Sequence, residues 1–366
     1  MSDGDGPCRH VRFRGSTPQE KGALIVQNQY AMPHWRSGRR EGTIEQMFHW
    51  DNGLFFNRPR LALDVRRRQP HGFVSHAHAD HIAAHEVAYC TPETGRLYKL
   101  RMGAARRVIE VPYRQPFEFG DVRLTTYPAG HCLGSAMAFI ESDAGSLLYT
   151  GDYKLGESAT AERCELPRAD VLVMESTFGR PRYRMPPRGE TVAKLLELVR
   201  TAIADGATPV LHAYPLGKSQ EATRILTDAG IPVLQHPTIF AVSEVYRQCG
   251  VDLGDMRLYD AKLLPGRAVI TLPQGSRDFR LAGIKKPVSI AITGWAIDPS
   301  TKYRWGVDHA LPLSDHADFD ELLETAERVG AREIYCTHGP AEFVGHLQAA
   351  GFNALPVTGS YQKRMF

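Results

Sequence analysis

The chain has 366 residues, 43% of them hydrophobic, and a formal net charge of +3. That length supports a large core, or two domains sharing an interface. The near-neutral balance is no global signature of a nucleic-acid binder, so such a role must rest on local patches. No run of about eighteen apolar residues occurs, so no membrane span is expected. The opening MSDGDGPCRHVRFRG lacks the apolar stretch of a secretory signal. Six cysteines are scattered without a CxxC pair, which reads as reduced thiols in a cytoplasmic protein.

Residues 1–45 read as an irregular segment of glycine, proline, arginine and isolated aromatics. Basic contacts to a partner are one reading of it, a solvated tail the other. From about residue 50 short apolar runs appear: GFVSH at 72–76, DVRLTTY at 121–127, AMAFIE at 136–141, SLLYT at 146–150 and ADVLVME at 169–175. Each is strand-length and rich in β-branched or aromatic residues. IAAHEVA, at 82–88, is expected to start a helix. After about residue 185 the rhythm becomes helix–strand. Val192, Leu195, Leu196, Val199 and Ile203 share one helical face. The strand TPVLHAYP follows, then a helix from Ser219, the strand IPVLQH and a helix from Thr238. Such alternation predicts a mostly parallel sheet covered by helices. Near the end come ALPL at 310–313, a helix over 319–329, the strand EIYCTH and a helix over 341–350.

Residues 76–81 read HAHADH and fall where the strand GFVS ends. His76 and His78 are two apart, so both can point the same way from an extended backbone. Asp80 and His81 can then turn toward a second position. Imidazole and carboxylate suit zinc, and also manganese or iron. The alternative is a polar loop that happens to be histidine-rich; three histidines and an aspartate in this order argue against it. Four ligands cannot complete two metal sites. Further candidates are His131 in PAGHCLGSA, Asp152 in YTGDYK and His338 in CTHGP. Taken singly, each reads as a structural turn residue. Together they share one address, the end of a strand next to glycine.

In order and spacing, HAHADH, AGHCLGSA and TGD resemble the metallo-β-lactamase superfamily. The resemblance covers roughly residues 50–180 and the stretch from about 310. It implies an α/β protein, an αββα sandwich with a metal pair on one edge. Glu175, in ADVLVMESTFG, and His316, in LSDHADF, are 141 residues apart (316 − 175 = 141). That insertion is too long for a small hydrolase and resembles the β-CASP nucleases, whose second α/β domain caps the active site. The implied boundaries are 46–185 and 308–366 for the sandwich and 186–307 for the β-CASP domain. By similarity Glu175 is that family's motif A acid, His316 its motif B histidine and His338 its motif C histidine. STFGRPRYRMP, YPLGKSQE, TGWA at 293–296 and LSDHADF further resemble bacterial exonucleases encoded beside an ATP-dependent DNA ligase and a helicase.

The resemblance implies that His76, His78 and His131 bind one divalent ion and that Asp80, His81 and His338 bind another, with Asp152 bridging. Zinc is the default for so many histidines, with manganese as the alternative. Such a pair activates water and clamps a phosphate oxygen. Asp80, Glu175 and His316 form the implied catalytic set, with His316 as general acid to the leaving 3′-oxygen and Glu175 holding its imidazole. The implied activity is 5′→3′ exonuclease cleavage of single-stranded DNA in repair, with the ligase and helicase as partners. RNA stays open as a substrate, because a motif C histidine is usual in RNA-processing members. The long insertion argues against a small-molecule metallohydrolase. The full set of seven expected ligands argues against a non-catalytic scaffold.

Two basic stretches bear on substrate. GRPRYRMPPR places Arg180, Arg182, Arg184 and Arg188 just after Glu175. They can hold backbone phosphates, or form a solvated basic loop. YPLGKSQE contains GKS, but a Walker A loop needs glycine where His212 stands, so nucleotide hydrolysis is rejected. Lys218 and Ser219, at a helix start, can still hold an anion such as a strand terminus or backbone phosphate.

Overall fold

The computed structural model describes residues 47–273, 275–276 and 281–357. The segment expected over residues 1–45 lies outside them. The first sheet is formed in chain order by β1 (Phe48–Trp50), β2 (Leu54–Phe56), β3 (Leu61–Leu63), β4 (His71–Phe73), β5 (Val87–Cys90) and β6 (Val108–Glu110). Helix α1 (Pro92–Met102) crosses between β5 and β6. The second sheet begins with β7 (Phe117–Phe119), β8 (Val122–Pro128), β9 (Ala136–Ser142), β10 (Gly145–Tyr149) and β11 (Val171–Glu175).

Between β11 and the return to that sheet lie α2 (Arg188–Ala204), β12 (Thr208–His212), α3 (Lys218–Asp228), β13 (Val233–Gln235), α4 (Pro237–Gln248), β14 (Met256–Leu258), β15 (Ala268–Thr271), β16 (Pro287–Ile292), α5 (Ser300–Trp305) and β17 (His309–Leu311). Their strands form a third sheet, order β14-β13-β15-β12-β16-β17, and every pairing in it is parallel. The chain then adds α6 (Phe319–Val329), β18 (Glu333–Thr337), α7 (Glu342–Ala349) and β19 (Ala354–Pro356). β18 pairs with β11 and β19 with β18, both parallel, which completes the second sheet.

The side-chain period of two decides the layers. In β11, Val171 and Val173 enter a core shared with Phe73, Leu63 and Tyr89 of the first sheet. Leu172 and Met174 face the other way, onto Leu322 and Ala326 of α6 and Phe343 and Leu347 of α7. On the outer face of the first sheet, Ala88 and Cys90 pack with Tyr98 of α1. The order is therefore helix, sheet, sheet, helix, as the αββα expectation has it. The third sheet has its own core, where Leu211, Val233, Ile270 and Ile290 meet Leu195 and Val199 of α2 and Ile225 and Leu226 of α3. Ala77, Leu97 and Leu133 of the sandwich join that same core, so the seam between the two parts is apolar.

Two details differ from expectation. β17 pairs with β16, so the third sheet extends past the expected return at residue 308. IAAHEVA starts no helix: its last two residues open β5, which lies between β4 and β6. Local alanine content favours a helix there, but the Val-Ala-Tyr-Cys run fills a buried parallel slot in the sheet.

Leu172→Ala removes a fully buried side chain from the middle of the second sheet. It should lower stability by about 2–5 kcal/mol, read as an earlier denaturant midpoint at unchanged slope. An unchanged midpoint would contradict the assigned layering.

Candidate metal centre

The candidate residues converge because each stands where a strand of the sandwich ends. His76, His78, Asp80 and His81 follow β4, His131 follows β8, Asp152 follows β10, Glu175 closes β11 and His338 follows β18. His316 stands ahead of α6, whose start is fixed by Asp318 and Glu321 in a reciprocal capping box. The TGD turn needs its glycine. Gly151 has φ +55°, and a Cβ there would meet the Ser75 side chain at 2.6 Å.

Asp152 Oδ2 is the hub of the cluster. It lies 3.2 Å from His81 Nε2, 3.6 Å from His76 Nε2, 3.9 Å from His131 Nε2 and 4.0 Å from His316 Nε2. Asp80 Oδ2 lies 3.9 Å from His81 Nε2. The His338 ring is 5.4 Å from the His81 ring, centre to centre. His338 itself has the uncommon φ of +54°. His76, His78, His81, His131 and Asp152 are thus brought together; Asp80 and His338 flank His81 but fall outside the groups of donor atoms within 4.8 Å of one another.

The opposite ring nitrogens are pinned. His78 Nε2 donates to the Leu216 carbonyl at 3.0 Å, and His131 Nδ1 to the Asp315 carbonyl at 2.8 Å. A carbonyl only accepts, so both protons are fixed there, and the neutral rings turn the lone pairs of His78 Nδ1 and His131 Nε2 inward. Those two atoms are 3.0 Å apart. His76 gives Nδ1–H to Ser75 Oγ, whose hydroxyl in turn donates a hydrogen bond to Asp64 Oδ2. His76 Nε2 is then buried without a hydrogen-bond partner. Converging acceptor nitrogens beside a carboxylate suit a divalent cation. His76, His78, His131 and Asp152 offer four donor atoms within 4.8 Å of one another.

Electrostatics agree with this division. Burial depresses His76, and the neighbouring His81 adds to it. Burial depresses His78. Burial and His316 bring His131 down to about 4. All three are neutral at pH 7, as ligands must be. Burial pulls His81 down too, but the Asp152 and Asp64 carboxylates outweigh it and hold His81 well above its usual value. His316 is raised as well, by a different carboxylate. Its burial is outweighed by Glu175, then Asp152, which push it up to about 10. Its Nδ1 lies 2.9 Å from Glu175 Oε1. The buried Glu175 carboxylate is itself fixed by the amides of Tyr153 and Thr177. This pairing keeps a protonated imidazole at the rim of the cluster at neutral pH.

The sequence reading missed Asp64 and Asp315. Asp64 is buried and gathers the Ser75 amide and hydroxyl, His81 Nδ1 and the Tyr149 hydroxyl, at 2.5–2.9 Å. Its signal was available: it ends the apolar run Leu61–Leu63, the same strand-end address as the ligands. Asp315 adjoins His316 and receives His131 through its carbonyl.

The substrate candidates fare differently. Arg180 pairs with Glu342 and Arg184 with Asp320, in exposed ion pairs; Arg182 stacks on Tyr183 and donates to its hydroxyl. All three are tied to neighbouring side chains rather than left as free basic groups. Lys218 is fully buried and faces Asp315 Oδ1 at 3.1 Å. Ser219 is buried and donates its hydroxyl to the Tyr214 carbonyl at 2.6 Å. An open anion site at Lys218 and Ser219 is therefore not what the fold builds, because a carboxylate already occupies the lysine.

A sandwich of this order with histidine and aspartate ligands gathered at its strand ends is of the metallo-β-lactamase type. Residues 58–234 match the β-lactamase superfamily domain. The chain carries a metallo-β-lactamase superfamily domain, and its β-CASP relatives fit the inserted third sheet. It is similar to a "Probable DNA ligase" of Opitutus terrae, 38% identical over 312 residues, which are 83% of this chain and 31% of that protein. It is similar to an "Endoribonuclease YSH1" of Candida albicans, 34% identical over 308 residues, 67% of this chain and 35% of that one. The "5' exonuclease Apollo" of Gallus gallus is 26% identical over 275 residues, 69% of this chain and 55% of that one. The chain thus spans between 31% and 55% of these relatives' lengths. Among the described residues no helix is long and apolar enough to cross a membrane.

Asp64→Asn keeps the shape but removes the charge that orients His81 and, through Ser75, His76. Metal affinity should fall about 10–100-fold, measured by chelator competition. Retention equal to wild type would show that Asp64 does not support the ligands.

Proposed function

We propose that this chain is a metal-dependent nuclease that hydrolyses phosphodiester bonds of single-stranded DNA from a 5′ end. The observation that carries this reading is the juxtaposition of inward-facing nitrogens around Asp152 with His316, whose Nδ1 is held by Glu175 and whose Nε2 lies 4.0 Å from the same Asp152 oxygen. His76, His78 and His131 with Asp152 would hold one divalent ion; Asp80, His81 and His338 with Asp152 would hold the second. When bound, such ions, zinc by ligand type and manganese as the alternative, supply Lewis-acid charge to the phosphate and make water a nucleophile at neutral pH.

The remaining steps belong to side chains. His316 Nε2 carries the proton that the leaving 3′-oxygen needs. Glu175 holds the other ring nitrogen and keeps that proton in place through a charge-assisted hydrogen bond. The third sheet packs on the candidate ligand loops through Ala77 and Leu133. DNA as the polymer is supported by the ligase-named relative, which covers most of this chain, and by the 5′ exonuclease. The ligase-named relative also supports a role in repair beside a ligase. RNA is the second reading, favoured by His338 and by the endoribonuclease relative.

The test uses two end-labelled strands of one sequence, DNA and RNA, with metal-analysed protein and zinc or manganese. A DNA ladder growing from one end, with RNA spared, is expected. Preferential RNA cleavage would move the chain to the second reading. Neither strand cut by metal-loaded protein would overturn the nuclease reading. In the same assay His316→Ala should lower turnover by about 10²–10⁴-fold at wild-type metal content. Metal loss in that variant would make His316 a ligand or a structural group instead.

A further inference from the structure

Lys218 begins α3 in the inserted part of the chain, yet its side chain ends in the sandwich. It is fully buried. Its Nζ makes no hydrogen bond, and its charge is met by Asp315 Oδ1 at 3.1 Å. Lys154, also buried, donates to the Ser314 carbonyl beside it. The backbone on either side of this ion pair does something specific. Two residues before Lys218, the Leu216 carbonyl receives His78 Nε2 as well as the Lys218 amide. The Asp315 carbonyl receives His131 Nδ1. The same two residues therefore face the two ligand imidazoles whose lone pairs converge. Gly217, between Leu216 and Lys218, has φ +81°, and a Cβ there would meet the Cys132 Cβ at 3.2 Å. The loop is thus pressed onto the segment that carries His131.

We propose that Lys218 is a positioning residue for the metal centre. By neutralising Asp315 within the seam, it keeps the Leu216 and Asp315 carbonyls seated on His78 and His131, so the inserted domain sets the metal affinity of the sandwich. This rests on the metal-site reading above. The physical reason is the cost of a lone buried charge. Without Lys218, the Asp315 carboxylate must move toward water or capture a proton. Movement carries its own carbonyl off His131 Nδ1 and frees that ring to turn. The methylene stem of Lys218 also fills the seam, so Lys218→Met keeps the packing and removes only the charge.

Zinc binding to the full chain, measured by competition with a chromophoric chelator, tests this without reference to activity. Lys218→Met should weaken zinc binding about tenfold or more. Lys218→Met with Asp315→Asn removes both charges and should return affinity to near wild type. Wild-type affinity in the single variant overturns the inference. So does a double variant that stays as weak as the single one, because Lys218 would then act other than by neutralising Asp315. If the single variant does not fold, the double variant decides alone: near-wild-type affinity supports the inference and weak binding overturns it. Wild-type protein that binds no zinc overturns the metal-site reading and this inference with it.

Discussion

Six imidazoles meet at one edge of the sandwich, and each has one ring nitrogen held by a fixed neighbour. The neighbours are Ser75 for His76, the Leu216 carbonyl for His78, Asp64 for His81, the Asp315 carbonyl for His131, Glu175 for His316 and Thr337 for His338. This pinning is the constraint on which the rest depends. A free imidazole in a dry site turns and chooses its own tautomer. Held at one nitrogen, it can only offer the other. Where the pin is a carbonyl, the inward atom is an acceptor. Where it is the buried Glu175, the ring stays charged. What stands behind each ring, a carbonyl or hydroxyl for His76, His78 and His131 and a carboxylate for His81 and His316, sets which atom it offers and its charge.

The inserted domain takes part in this arrangement. Ala77, between His76 and His78, and Leu133, two residues after His131, lie in the core of the third sheet. The Tyr246 hydroxyl on α4 accepts from the Leu133 amide. The ligand loops are therefore clamped from both sides, by the strand ends below and by the inserted helices above.

Much of this was legible in the sequence, and for a physical reason. Ligands grouped within a few residues, or standing at the end of an apolar run, carry a local signature. HAHADH, GHC, TGD and the acid closing ADVLVME all do. What stayed hidden depends on distant partners. Whether Lys218 is an anion site or half of a buried pair is decided by Asp315, which no local pattern connects to it. Whether Arg180 and Arg184 are open depends on Glu342 and Asp320, carried by the last two helices of the sandwich. IAAHEVA misled because its alanines favour a helix in isolation, while the sheet needed a strand between β4 and β6. Asp64 ends an apolar run but is flanked by Leu63 and Val65, so it lacks the neighbouring glycine that His131, Asp152 and His338 share.

The pairing of β18 with β11 joins Glu175 to Thr337 in register across the whole insertion. A ribosome releases these strands far apart in time. Until residues 333–337 emerge, β11 is an open parallel edge of apolar side chains, of the kind that invites mispairing. The inserted sheet is complete by then, since its last strand ends at Leu311. Its closure brings the two ends of the sandwich near one another and shortens the search that β18 must make. The inserted sheet that clamps the candidate ligand loops therefore also spans the gap in sequence between the two paired strands, β11 and β18.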